Sequence, residues 1–599
     1  MRSSSATDVV VGVAAENGAL VYRCVVDETS VIAADPADQQ HSDALTPAYR
    51  AESLQRLRSA TADQPLDLLV VGGGVVGCGS AFDAASRGLT VGLIEQSDYA
   101  AGTSSRSSRL AHGGLRYLEH REFALVHEAL TERGLLLDRI APHLVRPLAF
   151  LLPLSGRSWE KPYVGAGVTL YDMLSRVGAY GGTMPRPKTL SRAAVRGLAP
   201  GLAADQIKSA VRFYDAQIDD ARHTLALARS AAAAGAALLT QCRAVGVLKE
   251  PLDSEQDRVV GVRVRVADEE FDVHARCVLS ATGVWTDVFR EVAGIAPEGA
   301  RVRQAKGVHL VVPRNRIRSS SAIIARTPTS VLFLLPWGED FWLIGTTDTD
   351  YEGDLADPQA DDEDIAYLLE QTNRWLAEPL DRDDIVGVYC GLRPLVATEV
   401  VGDDDDATAQ LSREHVVLRP LPGLVMIAGG KYTTYRVMAA DAVDAAVTER
   451  AAFVAGEPPE CGTADLPLVG AAGYADLWQS RSRLARDWDL PEDTVVHLLR
   501  RHGDRAEAVV KLIETDPTLG ERLSPDAPYL RAEVVTAVRD EGALTIADVL
   551  VRRTRLALET PDAGHSVAAW VAGVLAAELD WTPAEQEQAL QDYRSGTAE

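Results

Sequence analysis

This sequence predicts an α/β fold with an inserted antiparallel sheet and an all-α C-terminal domain, on three observations. The apolar run Leu66-Asp67-Leu68-Leu69-Val70-Val71 leads at once into Gly72-Gly73-Gly74-Val75-Val76-Gly77 and a helix-forming stretch from Ala81 to Ser86. Strands ending on glycine return at Val278 to Gly283 and Leu424 to Gly430. Between those returns, Val308–Val312, Val331–Leu335 and Phe341–Thr346 read as antiparallel strands, and residues 450–599 follow a helical pattern.

Taken in order, residues 1–64 offer strands at Asp8 to Val13 and Leu20 to Val26, a polar stretch from Ala33 to Asp43 and a short helix at Leu54 to Arg58, but no recognisable chemistry. The next unit is informative. Gly72 lets the chain turn out of the strand, Gly74 lets a pyrophosphate approach the backbone, and Gly77 lets the helix pack close to the sheet. The helix N-terminus offers unpaired N–H groups to the phosphates. A second strand, Thr90 to Ile94, ends on Glu95, where a carboxylate can accept both hydroxyls of a ribose. The motif alone does not choose between NAD and FAD.

Thr103-Ser104-Ser105-Arg106-Ser107-Ser108-Arg109 is too polar for a core element. At a second-strand exit its hydroxyls can reach phosphates, although a solvated loop is the plainer reading. His112-Gly113-Gly114-Leu115-Arg116-Tyr117 follows, then a helix from Phe123 to Ile140. Residues 139–196 hold nine Lys or Arg against two acids, interleaved with aromatic residues. They read as a solvated rim or as a surface resting on an anionic membrane leaflet. Asp219-Asp220-Ala221-Arg222 opens another helix, and Ala237–Leu239, Val245–Lys249 and Val259–Val266 read as strands. Leu424 to Thr434 forms a third glycine-bearing strand–helix junction.

Composition narrows the classes. A chain of 599 residues holds several domains, and a net charge of −26 argues against a nucleic-acid binder. The six scattered cysteines form no C-x-x-C, so neither a metal site nor a disulfide framework is indicated. No apolar run reaches the ~18 residues of a membrane span. No secretory signal is recognisable, and the expected location is cytoplasmic.

These strings together carry a resemblance. Gly72 to Gly77, Thr103 to Ser108, His112 to Glu119, Gly345-Thr346-Thr347-Asp348, Gly391-Leu392-Arg393-Pro394-Leu395 and Gly429 to Arg436 resemble the FAD-dependent glycerol-3-phosphate dehydrogenases of the aerobic type over about residues 66–590. The resemblance implies an FAD-binding, Rossmann-like (glutathione-reductase-like) domain at 65–145, 205–300 and 420–448. It implies a substrate-binding domain at 146–204 and 301–419 and a helical domain at 449–599. Residues 1–64 stand outside it as an extension of unknown role.

It further implies FAD held non-covalently, with the pyrophosphate at Gly72, Gly74 and Gly77 and the ribose at Glu95. Thr103, Ser104, Ser108, Leu110, His112, Gly113 and Gly114 line the way to the flavin. The Val245 backbone meets adenine, Thr282 and Gly283 pass near the pyrophosphate or ribityl chain, and Gly430 and Thr433 sit by the flavin ring. Arg116, Tyr117 and Arg413 bind the phosphate of glycerol 3-phosphate. The implied reaction gives dihydroxyacetone phosphate by hydride transfer from C2 to flavin N5, with electrons passing to a membrane quinone. His309, Arg393 and Lys431 are the catalytic candidates, His309 as base or relay and the two cations at the alkoxide oxygen. On residue type alone, His309 also reads as a structural histidine, Arg393 as a turn-capping ion pair and Lys431 as a helix-start residue. The implied setting is a homo-oligomer, a dimer, lying peripherally on the inner face of the cytoplasmic membrane. A glycerophosphate oxidase using O₂, or a related amine or 2-hydroxy-acid flavoenzyme, is the alternative.

Overall fold

The computed structural model describes residues 42–119, 121–156, 159–176, 184–203, 207–252, 256–296, 301–327, 331–397, 414–451 and 458–596, with two short strands near the start. The chain divides into Met1–Gln40 and His41–Glu599. In the first unit Ala15–Glu16 pairs antiparallel with Ala19–Leu20. The strand expected at Asp8 to Val13, and all but the first residue of the one expected at Leu20 to Val26, lie outside the described residues.

The second unit is built on two sheets. In the first, five strands run parallel in the order Ala237–Leu239, Val91–Ile94, Leu66–Val71, Glu269–Ser280, Leu424–Gly429. All six residues of Leu66–Val71 are buried, as a strand covered on both faces requires. Arg243–Pro251 and Asp257–Val266 extend the early half of Glu269–Ser280 as an antiparallel meander, and His415–Leu421 closes the other edge. The helix Val75–Ser86 packs between the helices Asp220–Ala233 and Tyr435–Ala451. Small residues permit this: a Cβ on Gly79 would stand 3.1 Å from the Tyr435 ring. The glycine-ended strands at 66–71, 278–280 and 424–429 are therefore neighbours, and their three ends open on one side.

Among the described residues the second sheet has ten strands and is antiparallel except where Ala322–Arg326 meets Val145–Leu154. The expected strands are Arg301–Pro313, Val331–Trp337 and Phe341–Gly345. His309 pairs with Gly345 on one side and Tyr389 on the other. The helix Glu160–Arg176 covers one face with Val164, Val168 and Tyr171.

Several helices differ in extent from the expectation; that over Ala81 to Ser86 begins at Val75. The short one at Leu54 to Arg58 spans Pro47–Arg58, because Thr46 accepts a hydrogen bond from the Tyr49 N–H and Pro47 takes a first-turn position where no N–H is needed. The helix from Phe123 is α-helical to Leu135 and continues as a π turn, Leu136–Ile140.

The C-terminal helices dock through buried charges. Asp98 accepts hydrogen bonds from Arg552 Nε and Arg553 Nη1, both at 2.7 Å, and from Arg553 Nη2 at 2.9 Å. Arg222 donates to Glu541 at 2.7 Å, and within the C-terminal helices themselves Arg501 donates to Glu533 at 3.0 Å. All of these side chains are buried. Burial alone would raise the Asp98 pKa; Arg553 and Arg552 outweigh it and hold the carboxyl below its usual range. Such pairs offset their desolvation only while every partner is present.

Candidate active site

A cavity of about 1050 Å³ runs from the three glycine junctions to the second sheet. At its nucleotide end, Gly72 has φ +114° and lies so close to the neighbouring strand that a Cβ would stand 2.6 Å from the Ala281 carbonyl oxygen. A Cβ on Gly77 would stand 1.9 Å from the Gly72 carbonyl oxygen, so helix and turn meet only because that position is bare. Gly74 is the N-cap of the helix Val75–Ser86 and has no side chain to cap it. Ser104 does so from the next loop, accepting from the Val75 N–H at 2.9 Å. The cradle has an open front and a fixed floor.

Glu95 lines the cavity and accepts hydrogen bonds from the Gly73 N–H at 2.6 Å and the Ser97 N–H at 2.9 Å. A carboxylate has about four lone-pair sites, so capacity remains for ribose hydroxyls. Burial raises its pKa. Ala244 lines the wall, and a β-bulge between Ala244 and Gly246 passes over Val245 in the pairing. A bulged residue keeps its backbone groups out of the ladder, which suits Val245 to a backbone contact with a base. Thr282 and Gly283 line the same end. The glycine cradle, the helix terminus and the acidic residue together fit a dinucleotide.

The hydroxyl-rich loop lies along the cavity with its side chains already committed. Thr103 donates to the Leu392 carbonyl at 2.7 Å, and Ser108 Oγ lies 2.9 Å from His309 Nε2. Leu110, His112 and Gly114 continue the wall. Gly113 stands behind it, its N–H donating to Tyr171 Oη at 2.8 Å. Gly430, with φ +86°, lines the wall, while Thr433 stands behind it, accepting from the His112 N–H at 3.0 Å. Thr433 thus ties the second glycine loop to the third strand–helix junction.

His309, Arg393, Lys431 and Tyr117 all line this cavity. His309 is 2% exposed, its ring stacks on Tyr389 at 4.7 Å and 7°, and among the described residues its Nδ1 has no hydrogen-bond partner. Burial, then Arg393 and Arg109, push its pKa down to about 3. It is a neutral imidazole near pH 7. Arg393 donates to Asp348 at 3.2 Å and to Thr346 Oγ1 at 3.0 Å. The Lys431 ammonium stands 3.6 Å above the centre of the Tyr117 ring. The Arg116 side chain and Arg413 lie outside the described residues.

Sequence reasoning did not single out Asp220, Tyr389 or Arg555, which bind or brace the hydroxyl-rich loop. Arg552-Arg553-Thr554-Arg555 does carry a signal: three arginines in an otherwise apolar helical stretch need buried acids somewhere.

A family model described as FAD dependent oxidoreductase matches residues 67–436, and one described as C-terminal domain of alpha-glycerophosphate oxidase matches 461–586. A protein named glycerol-3-phosphate dehydrogenase from Mycobacterium leprae is 47% identical over 95% of this chain and 93% of its own length. A mitochondrial glycerol-3-phosphate dehydrogenase from Mus musculus is 35% identical over 88% of this chain and 72% of its own. The crystal structure of a glycerol-3-phosphate dehydrogenase from Bacillus halodurans complexed with FAD is similar with a TM-score of 0.72 and 27% identity, covering 92% of this chain and 98% of that one.

Proposed function

The chain belongs to the FAD-dependent glycerol-3-phosphate dehydrogenase family, and on that premise we propose that it oxidises sn-glycerol 3-phosphate to dihydroxyacetone phosphate and passes the electrons to a membrane quinone. One observation carries the reading: a buried His309 lines the same cavity as Arg393, Lys431 and a cradle that fits the cofactor. Gly72, Gly74, Gly77 and Glu95 would hold FAD, which would supply the acceptor for the hydride that leaves C2.

The protein's own residues do the rest. His309 accepts the proton of the C2 hydroxyl. The Ser108 contact and the Tyr389 stack fix the orientation of its ring. Arg393 and Lys431 stabilise the negative charge that develops on the oxygen. Arg116, Tyr117 and Arg413 hold the phosphate, and the Lys431–Tyr117 contact couples the two regions.

Two features support a quinone acceptor and a peripheral membrane position. Trp159, Tyr163, Leu170 and Met173 are all exposed and recur at helical spacing along Glu160–Arg176, opposite the buried Val164, Val168 and Tyr171. Lys161, Arg186 and Lys188 are exposed nearby in sequence. The apolar cluster under this helix includes Phe150, Leu152 and Phe213, which also line the cavity. An apolar route from a lipid surface toward the flavin is what a quinone needs. Among the described residues, no helix is long and apolar enough to cross a membrane. The second reading, an oxidase using O₂, draws on the family description of the C-terminal domain.

Anaerobic mixing with glycerol 3-phosphate should bleach the flavin absorbance; no bleaching would overturn the substrate assignment. The reduced enzyme should then be reoxidised by a soluble quinone much faster than by O₂. Rapid turnover with O₂ and stoichiometric peroxide would establish the oxidase instead. Light scattering on the purified holoenzyme tests the expected dimer.

A further inference from the structure

The C-terminal helices bring one side chain to the hydroxyl-rich loop. Arg555 follows the π turn Asp548–Arg553, has φ +75° and is fully buried. Its Nη1 donates to the Ser105 carbonyl at 2.9 Å, and its Nη2 donates to Asp220 Oδ1. Asp220, also fully buried, spends its other oxygen on the same loop: Oδ2 accepts from the Ser107 N–H at 3.0 Å and the Ser107 hydroxyl at 2.7 Å. One guanidinium and one carboxylate thus hold residues 105 to 107 from two directions.

Both supports of the His309 ring start from that point. The Ser107 carbonyl accepts from Tyr389 Oη at 2.9 Å, which sets the ring stacked on His309. The next residue, Ser108, meets His309 Nε2 at 2.9 Å. Edge and face of the imidazole are both referenced to Ser107, and Ser107 to Asp220 and Arg555. A second strut runs alongside. Glu559 accepts from Trp337 Nε1 at 2.6 Å, and the Arg109 guanidinium lies 3.7 Å from the Trp337 ring centre and 5.5 Å from that of Tyr389. Buried charge-assisted bonds of this kind define geometry more than they add stability.

We propose that Arg555 is a positioning residue for His309, so that the C-terminal helices act on proton transfer through the chain Arg555–Asp220–Ser107–Ser108. The proposal rests on the reading of His309 as the base. It gives these helices a part in the reaction although none of their residues needs to touch substrate.

The test uses FAD-loaded enzyme and the anaerobic reduction of the flavin by glycerol 3-phosphate. Arg555→Gln should keep its FAD and its substrate dissociation constant within about threefold, while the limiting reduction rate falls about 10²-fold, the usual effect of a misplacement near 1 Å. Its pH–rate profile should move toward that of His309→Gln, rising with hydroxide once the base is no longer aligned. Arg555→Lys, which keeps a charge opposite Asp220, should recover part of the rate. Arg539→Gln, which breaks only an exposed pair with Glu578, should behave as wild type. An unchanged rate and profile in Arg555→Gln, with His309→Gln impaired, would overturn the proposal and leave the His309 reading standing. An unimpaired His309→Gln would overturn that reading itself. If Arg555→Gln yields no folded holoenzyme, Ser107→Ala interrupts the same chain with a smaller change. A reduced rate at unchanged substrate affinity then supports the proposal, and an unchanged rate overturns it.

Discussion

Replacing Asp98 by Asn tests the claim that buried charges dock the C-terminal helices. The change is nearly isosteric, yet it removes the charge between Arg552 and Arg553 and turns one acceptor oxygen into a donor facing an arginine. Three hydrogen bonds of 2.7, 2.7 and 2.9 Å are affected. Asp98 is 2% exposed and the arginines are 5% and 2% exposed, so water cannot replace what is lost. Breaking such a pair costs ~3–5 kcal/mol. The lower end applies, because Arg552 keeps Asp548 at 2.6 Å and Arg553 keeps the Glu541 carbonyl at 2.8 Å. For a cooperative unit of ~150–250 residues, each kcal/mol lowers Tm by ~2–4 °C, so ~3 kcal/mol corresponds to a fall of ~6–12 °C. Thermal unfolding of the FAD-loaded protein, followed by tryptophan fluorescence, reads it directly. Limited proteolysis should find the C-terminal helices before the cofactor domain. A Tm within 2 °C of wild type, with unchanged proteolysis, would refute the argument that these buried ions hold the helices in place.

Other outcomes follow from the same geometry. Gly72→Ala places a Cβ 2.6 Å from a carbonyl oxygen at φ +114°; strain of ~1–3 kcal/mol should weaken FAD binding about tenfold to hundredfold, measured by flavin fluorescence titration. Arg393→Ala should slow flavin reduction by about 10²–10³-fold with a smaller change in substrate affinity, as stopped-flow absorbance would show. Acid should destabilise the protein early. Burial, and then Arg222, lowers the pKa of His143 to about 3 and of His502 to about 4. Below an unfolded value of ~6.5, the unfolded chain takes up protons that the folded one refuses, so stability falls with pH by ~1.4 kcal/mol per unit for each histidine. Tm measured between pH 6.5 and 4.5 should drop, and His143→Gln should flatten that slope. Trp159→Ala combined with Met173→Ala should reduce co-sedimentation with anionic vesicles while flavin reduction by glycerol 3-phosphate stays unchanged.

Local chemistry was legible without the fold. A tight glycine turn after a buried strand, an acid ending the next strand and a third glycine junction at 424–434 each announce themselves, because turn geometry and burial act over a few residues. The strand–glycine–acid pattern of a dinucleotide unit and, through the strings that accompany it, the family could therefore be read from the chain alone. Sheet order, and the meeting of partners hundreds of residues apart, belong to tertiary structure. Only the fold sets Leu424–Gly429 beside Glu269–Ser280, gathers three glycine ends at one cavity and stacks Tyr389 on His309. Only the fold shows Ser104 capping a helix it does not belong to, or brings Arg552 and Arg553 to Asp98. Long-range contacts carry no periodicity along the chain. An arginine run shows that acids must be near in space, and packing alone decides which ones.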